Sequence, residues 1–138
     1  MKKFILILCS IIIFGCNSDK KGISYGTFNL YENESLVGTI YRVENYQLEK
    51  YLDDSELIAR IEYISDSTYI VSGIEKNLTG IDTIKWLNTH KTIDKNKFLI
   101  TAKPQNTTIE YEYKASLVKV DNKVPKEYAH ILSKLNTE

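Results

Sequence analysis

The sequence predicts a mainly β protein, with about eight antiparallel strands closed into a barrel or folded as a sandwich and one short α-helix at the C-terminus. Three observations predict it. From Tyr25 onward the chain is dense in Tyr, Ile, Val, Thr and Phe, including ten tyrosines in 138 residues, and these residues suit a pleated, half-buried surface. Short clusters of Asn, Asp, Ser and Glu punctuate the runs, a spacing that favours hairpins. The last fifteen residues change from a period of two to a helical period.

The runs read as strands are Gly26 to Tyr31, Val37 to Val43, Tyr46 to Leu52, Leu57 to Ile64, Thr68 to Gly73, Asp82 to Leu87, Lys97 to Lys103 and Thr108 to Leu117. The clearest alternation is in the last, where Ile109, Tyr111, Tyr113, Ala115 and Leu117 interleave with Glu110, Glu112, Lys114 and Ser116, so one face is core and the other water. At Leu117-Val118 the apolar phase slips by one and runs on through Val120, the signature of a bulge or bend. Turn formers lie between the runs at Asn33-Glu34-Ser35, Glu44-Asn45, Asp53-Asp54-Ser55, Ser65-Asp66-Ser67, Asn77 to Gly80, Asp94-Lys95-Asn96 and Pro104-Gln105-Asn106. For Tyr46 to Ile58 a helix competes, because Leu48, Leu52 and Leu57 are loosely spaced for one. After the break at Asp121-Asn122-Lys123, Pro125 suits a first helical turn, and Val124, Tyr128, Ile131, Leu132 and Leu135 recur at helical spacing. Strands patterned on one side must hide their apolar faces. Between a sandwich and a small lipocalin-like barrel, the barrel is favoured.

The first residues follow another logic. Lys2 and Lys3 precede an apolar stretch from Phe4 to Phe14 broken only by Cys9 and Ser10, the charge-then-apolar order of a secretory leader. A spanning helix needs ~20 apolar residues, and this run stops at Gly15, before the polar Asn17 to Lys21. It ends in Ile13-Phe14-Gly15-Cys16, which resembles the lipobox of bacterial lipoproteins. The resemblance implies a diacylglyceryl group on the Cys16 sulfur, cleavage after Gly15 and anchoring by fatty acyl chains such as palmitate. The competing reading is a conventional signal peptide in which Cys16 is an ordinary small residue. The expected organisation is therefore a signal peptide over 1–15, a lipidated cysteine and flexible tether over 16–23, and one β-rich domain over 24–138, placed at the cell envelope on the outer membrane. Asp19-Lys20-Lys21 loosely resembles the surface-export signals of Bacteroidota lipoproteins, which leaves the face of that membrane open.

Composition narrows the partners. Eighteen basic residues balance eighteen acidic ones, so nothing draws the chain to nucleic acid. Both cysteines, Cys9 and Cys16, fall inside the first sixteen residues, so the body has no disulfide framework. His90 and His130, the two histidines, have no metal-ligand partner at close spacing; no cofactor or metal is expected. Glu110 and Glu112 share one strand face and in principle divide acid and base roles, but with Lys114 beside them they read as solvated carboxylates. Asp53-Asp54 and Glu32 with Glu34 read as turn or edge carboxylates. Trp86, Tyr111 and Tyr113 are candidate ligand-lining residues, against the plainer reading of aromatic core and cross-strand pairs. Asp66-Ser67-Thr68 and Asp82-Thr83-Ile84 look like a three-residue O-glycosylation motif of exported Bacteroidota proteins.

Gly26-Thr27-Phe28, then Arg42 with Gln47 and Glu49, then Ile61-Glu62-Tyr63-Ile64-Ser65-Asp66-Ser67-Thr68-Tyr69 resemble a group of short flavobacterial lipoproteins of uncharacterised function. The likeness spans about half of the expected mature chain and implies an envelope location without implying an activity. Ser67 stands where cysteine is frequent in the group. Members sometimes carry the label DNA topoisomerase IV, which a near-neutral, exported chain of 138 residues does not justify. The expected function is a noncatalytic binding module, presenting an interior cavity or a sheet edge to a small apolar ligand or an envelope protein. The alternative is a structural or immunity-type lipoprotein that binds an envelope protein.

Overall fold

A computed structural model describes residues 22–74 and 84–138. The leader, Cys16, most of the expected tether, the Asn77 to Gly80 turn and the first two residues of the expected strand at Asp82 lie outside the described residues. Gly22–Ser24 form a single 3-10 turn. Eight strands follow: β1 Tyr25–Glu32, β2 Ser35–Val43, β3 Tyr46–Tyr51, β4 Glu56–Tyr63, β5 Thr68–Gly73, β6 Trp86–Asp94, β7 Lys97–Pro104 and β8 Tyr113–Asp121. A helix, α1, spans Lys126–Asn136. Each strand pairs antiparallel with the next, and β8 returns to pair with β1, as in Leu30 opposite Leu117. The result is a closed up-and-down barrel rather than a sandwich.

Local chemistry explains the meander. Asn33 and Glu34 both take positive φ, 47° and 68°, the geometry that lets a two-residue loop follow the right-handed strand twist. Gly26 has φ 124°, and a Cβ there would lie 2.6 Å from the Asp121 carbonyl oxygen, so only glycine lets the start of β1 close against the end of β8. The β1–β8 register skips a residue between Lys119 and Asp121, close to the phase slip expected at Leu117-Val118. The segment from Tyr46 to Ile58 is strand, turn and strand, not helix.

Two strands differ from expectation. β6 starts at Trp86 and runs on to Asp94; its inward positions include Asn88 and His90, and polar residues in the core phase hide a strand from any hydrophobic-periodicity argument. β8 starts at Tyr113, not Thr108. Its neighbour β7 ends at Pro104, and the last β7–β8 pair is Ala102 with Tyr113, so residues before Tyr113 have no ladder to join. Ile109 and Tyr111 are accordingly 60% and 54% exposed.

The core has two parts. Inside the barrel, Phe28, Leu30, Ile61, Tyr69, Phe98, Ile100 and Leu117 interdigitate. Ile23 packs with them, so the end of the expected tether belongs to the folded body and plugs the barrel where β1 begins. Outside, α1 covers β2 and β3, where Val43, Leu48, Val124 and Leu132 are buried together. Tyr41 stacks on Tyr128 at 4.4 Å between ring centroids. Asn136 then fastens the helix end, donating from Nδ2 to the Val43 carbonyl at 2.9 Å while its Oδ1 accepts from the Asn45 amide at 3.2 Å. β2 and β3 turn an apolar face to the helix through Val43 and Leu48, while their lumen face mixes Ile40 with the polar Arg42, Gln47 and Glu49, and two buried faces are what the mixed patterning there encodes.

Candidate functional site

One end of the barrel is plugged and the other is hollow. At the hollow end a cavity of about 300 Å³ is walled by Leu30, Ile40, Val71 and Ile100, with Trp86 and Tyr113 toward the mouth. This volume is at the small end of ligand pockets, room for a molecule built on one ring. The three expected ligand-lining residues, Trp86, Tyr111 and Tyr113, all border it. Trp86 and Tyr113 are first residues of their strands, and Tyr111 reaches over from the irregular segment before β8 to meet Trp86 edge-on at 6.3 Å.

The floor of the cavity is polar, and its residues come from adjacent strands. Arg42 on β2 is 2% exposed. Its Nε donates to Gln47 Oε1 at 2.8 Å, Nη1 to the Ile23 carbonyl at 3.0 Å and Nη2 to the Tyr69 hydroxyl at 3.2 Å. The guanidinium also lies over the Tyr69 ring, 4.9 Å from its centroid, a favourable use of the ring's negative face. Gln47, Glu49 and Tyr51 alternate on β3 and all face the lumen, so they form a ladder. Gln47 Nε2 donates to Glu49 Oε1 at 2.5 Å, and the Tyr51 hydroxyl donates to Glu49 Oε2. Across the mouth, the Tyr113 hydroxyl donates to Glu32 Oε1. Burial, and then the neighbouring carboxylates, push the Tyr51 and Tyr113 phenols well above the ordinary tyrosine range, so both stay protonated donors.

Below the floor, the His90 ring packs between Tyr69 and Phe98. Its Nδ1 is buried without a hydrogen-bond partner among the described residues. Burial first, and the Arg42 charge second, hold its pKa below the usual histidine value. His130 is exposed on α1. Glu110 and Glu112 lie outside any strand, so they do not form the strand-face pair expected of them. Glu112 instead sits between Lys103 and Lys114 at 3.3 and 3.2 Å, and those ammonium groups hold its carboxyl below the ordinary range. Among the described residues, no three His, Cys, Asp or Glu side chains group as a metal site, and no helix is long and apolar enough to cross a membrane.

Sequence reasoning missed the floor. Arg42, Gln47 and Glu49 stood out only as marks of a family likeness, and Glu32 read as an edge carboxylate. The available signal was phase: Gln47 and Glu49 alternate with Leu48, and only the helix outside β3 reveals that Leu48 faces outward. No protein-family model matches the chain, and neither does any curated protein or solved structure.

Proposed function

We propose that the protein is a noncatalytic ligand-binding module of the bacterial cell envelope, anchored by lipid on Cys16, with the barrel cavity as its binding site. The observation that carries the reading is a closed barrel plugged at one end and hollow at the other, with apolar walls and a small set of fixed polar groups. That is the make-up of a site that selects a small molecule.

The anchor fits this arrangement. Five residues separate Cys16 from Gly22, a reach of at most about 20 Å over the six Cα steps, and Gly22 sits beside the plugged end. A lipid on Cys16 thus tethers the barrel by its closed end and leaves the mouth facing water, so the ligand arrives from the aqueous side. Two or three acyl chains make such an attachment stable.

Native mass spectrometry of the protein extracted from its own membrane in mild detergent tests both parts. The expected polypeptide mass is that of Cys16 to Glu138 plus acyl chains, carrying a noncovalent small molecule that is lost in Ala102→Phe, a substitution that fills the cavity. Cys16→Ser should move the protein to the soluble fraction. An unmodified chain with its leader refutes the anchor, and a barrel that stays bare in every extract refutes the binding role.

A further inference from the structure

The cavity has a sign as well as a shape. Glu32 and Glu49 bring two carboxylates to it, and Arg42 brings one guanidinium. Arg42 and Glu49 are joined through Gln47, by contacts of 2.8 and 2.5 Å, so those two charges balance across a neutral amide. Glu32 is met by the Tyr113 hydroxyl on Oε1, and among the described residues no salt bridge reaches it. The lining therefore holds one carboxylate charge in excess, at the mouth, in a partly water-excluded space where charge interactions are stronger than in bulk water.

The surroundings of Glu32 favour a cation over a neutral guest. Tyr51, Tyr111, Tyr113 and Trp86 border the same mouth, and aromatic faces beside a carboxylate attract positive charge. An anion meets the opposite situation. It would have to pass Glu32 and Glu49 to reach a guanidinium whose three nitrogens already donate to Gln47, Ile23 and Tyr69. Among the described residues only the Tyr113 hydroxyl is seen on Glu32, at Oε1, so Oε2 can accept from an ammonium, while Ile40, Val71 and Ile100 offer apolar wall further in.

Resting on the reading of the cavity as a binding site, we infer that its ligand is a small organic cation: an ammonium held at Glu32 among the mouth aromatics, carried on a single apolar or aromatic group that fills the lumen. Three probes of matched shape isolate the charge: 2-phenylethylammonium, the neutral propylbenzene and the anionic 3-phenylpropionate. Trp86 is the only tryptophan in the chain and borders the cavity, so its emission during titration of the full-length protein reports binding at the site itself.

The expected result is saturable binding of 2-phenylethylammonium about tenfold or more tighter than of propylbenzene, with 3-phenylpropionate weakest. Glu32→Gln, which keeps the shape and removes the charge, should erase the preference for the cation and leave propylbenzene unchanged, which also shows that the variant is folded. If propylbenzene or 3-phenylpropionate binds best, or if Glu32→Gln leaves the order intact, the cation inference is overturned and the binding reading stands. If none of the three alters Trp86 emission up to its solubility limit, both fall.

Discussion

Replacing Arg42 with methionine tests the buried network most directly. The guanidinium is 2% exposed and donates three hydrogen bonds, to Gln47, the Ile23 carbonyl and the Tyr69 hydroxyl. Methionine fills much of the same volume and donates none. Gln47 Oε1 and the Ile23 carbonyl then lose their donor in a closed interior, at about 1–3 kcal/mol for each unsatisfied group. Glu49 loses the positive charge with which it communicates through Gln47. Removing one member of a buried charge arrangement costs about 3–5 kcal/mol, and the two orphaned acceptors together, at about 2–6 kcal/mol, bracket that range. Urea unfolding of the purified protein, followed by Trp86 emission and far-ultraviolet circular dichroism, should therefore show Arg42→Met less stable by about 3–5 kcal/mol. A triple variant, Arg42→Met with Gln47→Leu and Glu49→Leu, removes the amide and carboxylate partners too and should recover part of the loss, because an apolar replacement of a buried charge network is close to neutral, while the Ile23 carbonyl and the Tyr51 hydroxyl still lack their partners. A cost below about 1 kcal/mol for Arg42→Met, the scale of an ordinary surface change, would refute the reasoning. So would a triple variant no more stable than the single one.

Other consequences follow from the same geometry. Gly26→Ala combines a positive φ of 124° with a Cβ 2.6 Å from the Asp121 carbonyl oxygen, and should lower stability by about 2 kcal/mol or more; an unchanged thermal midpoint would show that β1 and β8 can shift apart freely. Leu132→Ala empties a fully buried position between α1 and the barrel and should cost about 2–4 kcal/mol. Hydrogen exchange should then rise first in the helix, whereas a uniform rise would mean that helix and barrel unfold as one unit. His90 titrates lower in the folded barrel than its ordinary 6.5, so below that pH the unfolded chain takes up a proton that the folded chain resists. Stability is thus full above about pH 6.5 and falls as the pH drops through the lowered folded value. His90→Phe should flatten the histidine part of that fall without loss of stability near neutral pH, and an unaltered pH profile by urea unfolding would count against it.

Much of the fold was legible because short hairpin links and period-two patterning leave few alternatives. The starts of β1 to β5, the extent of β7 and the C-terminal helix all lie within two residues of where turn formers and apolar spacing put them. The failures share a cause. The pattern sets β6 too early because Asn88 and His90 occupy its inward phase, and it starts β8 too early because Ile109 and Tyr111 continue an alternation for which β7 provides no partner. Local pattern records which residues are apolar. It does not record where a neighbouring strand ends.

By itself the chain determined the antiparallel meander, the amphipathic helix and the aromatic supply of the mouth, since each depends on residues close in sequence. Tertiary structure decided that the sheet closes, that Ile23 plugs one end and that Leu48 turns outward beneath α1. By that choice Gln47 and Glu49 face the lumen with Arg42. The physical reason is that a strand offers two faces of equal standing, and only the packing of distant elements against one of them settles which face becomes interior.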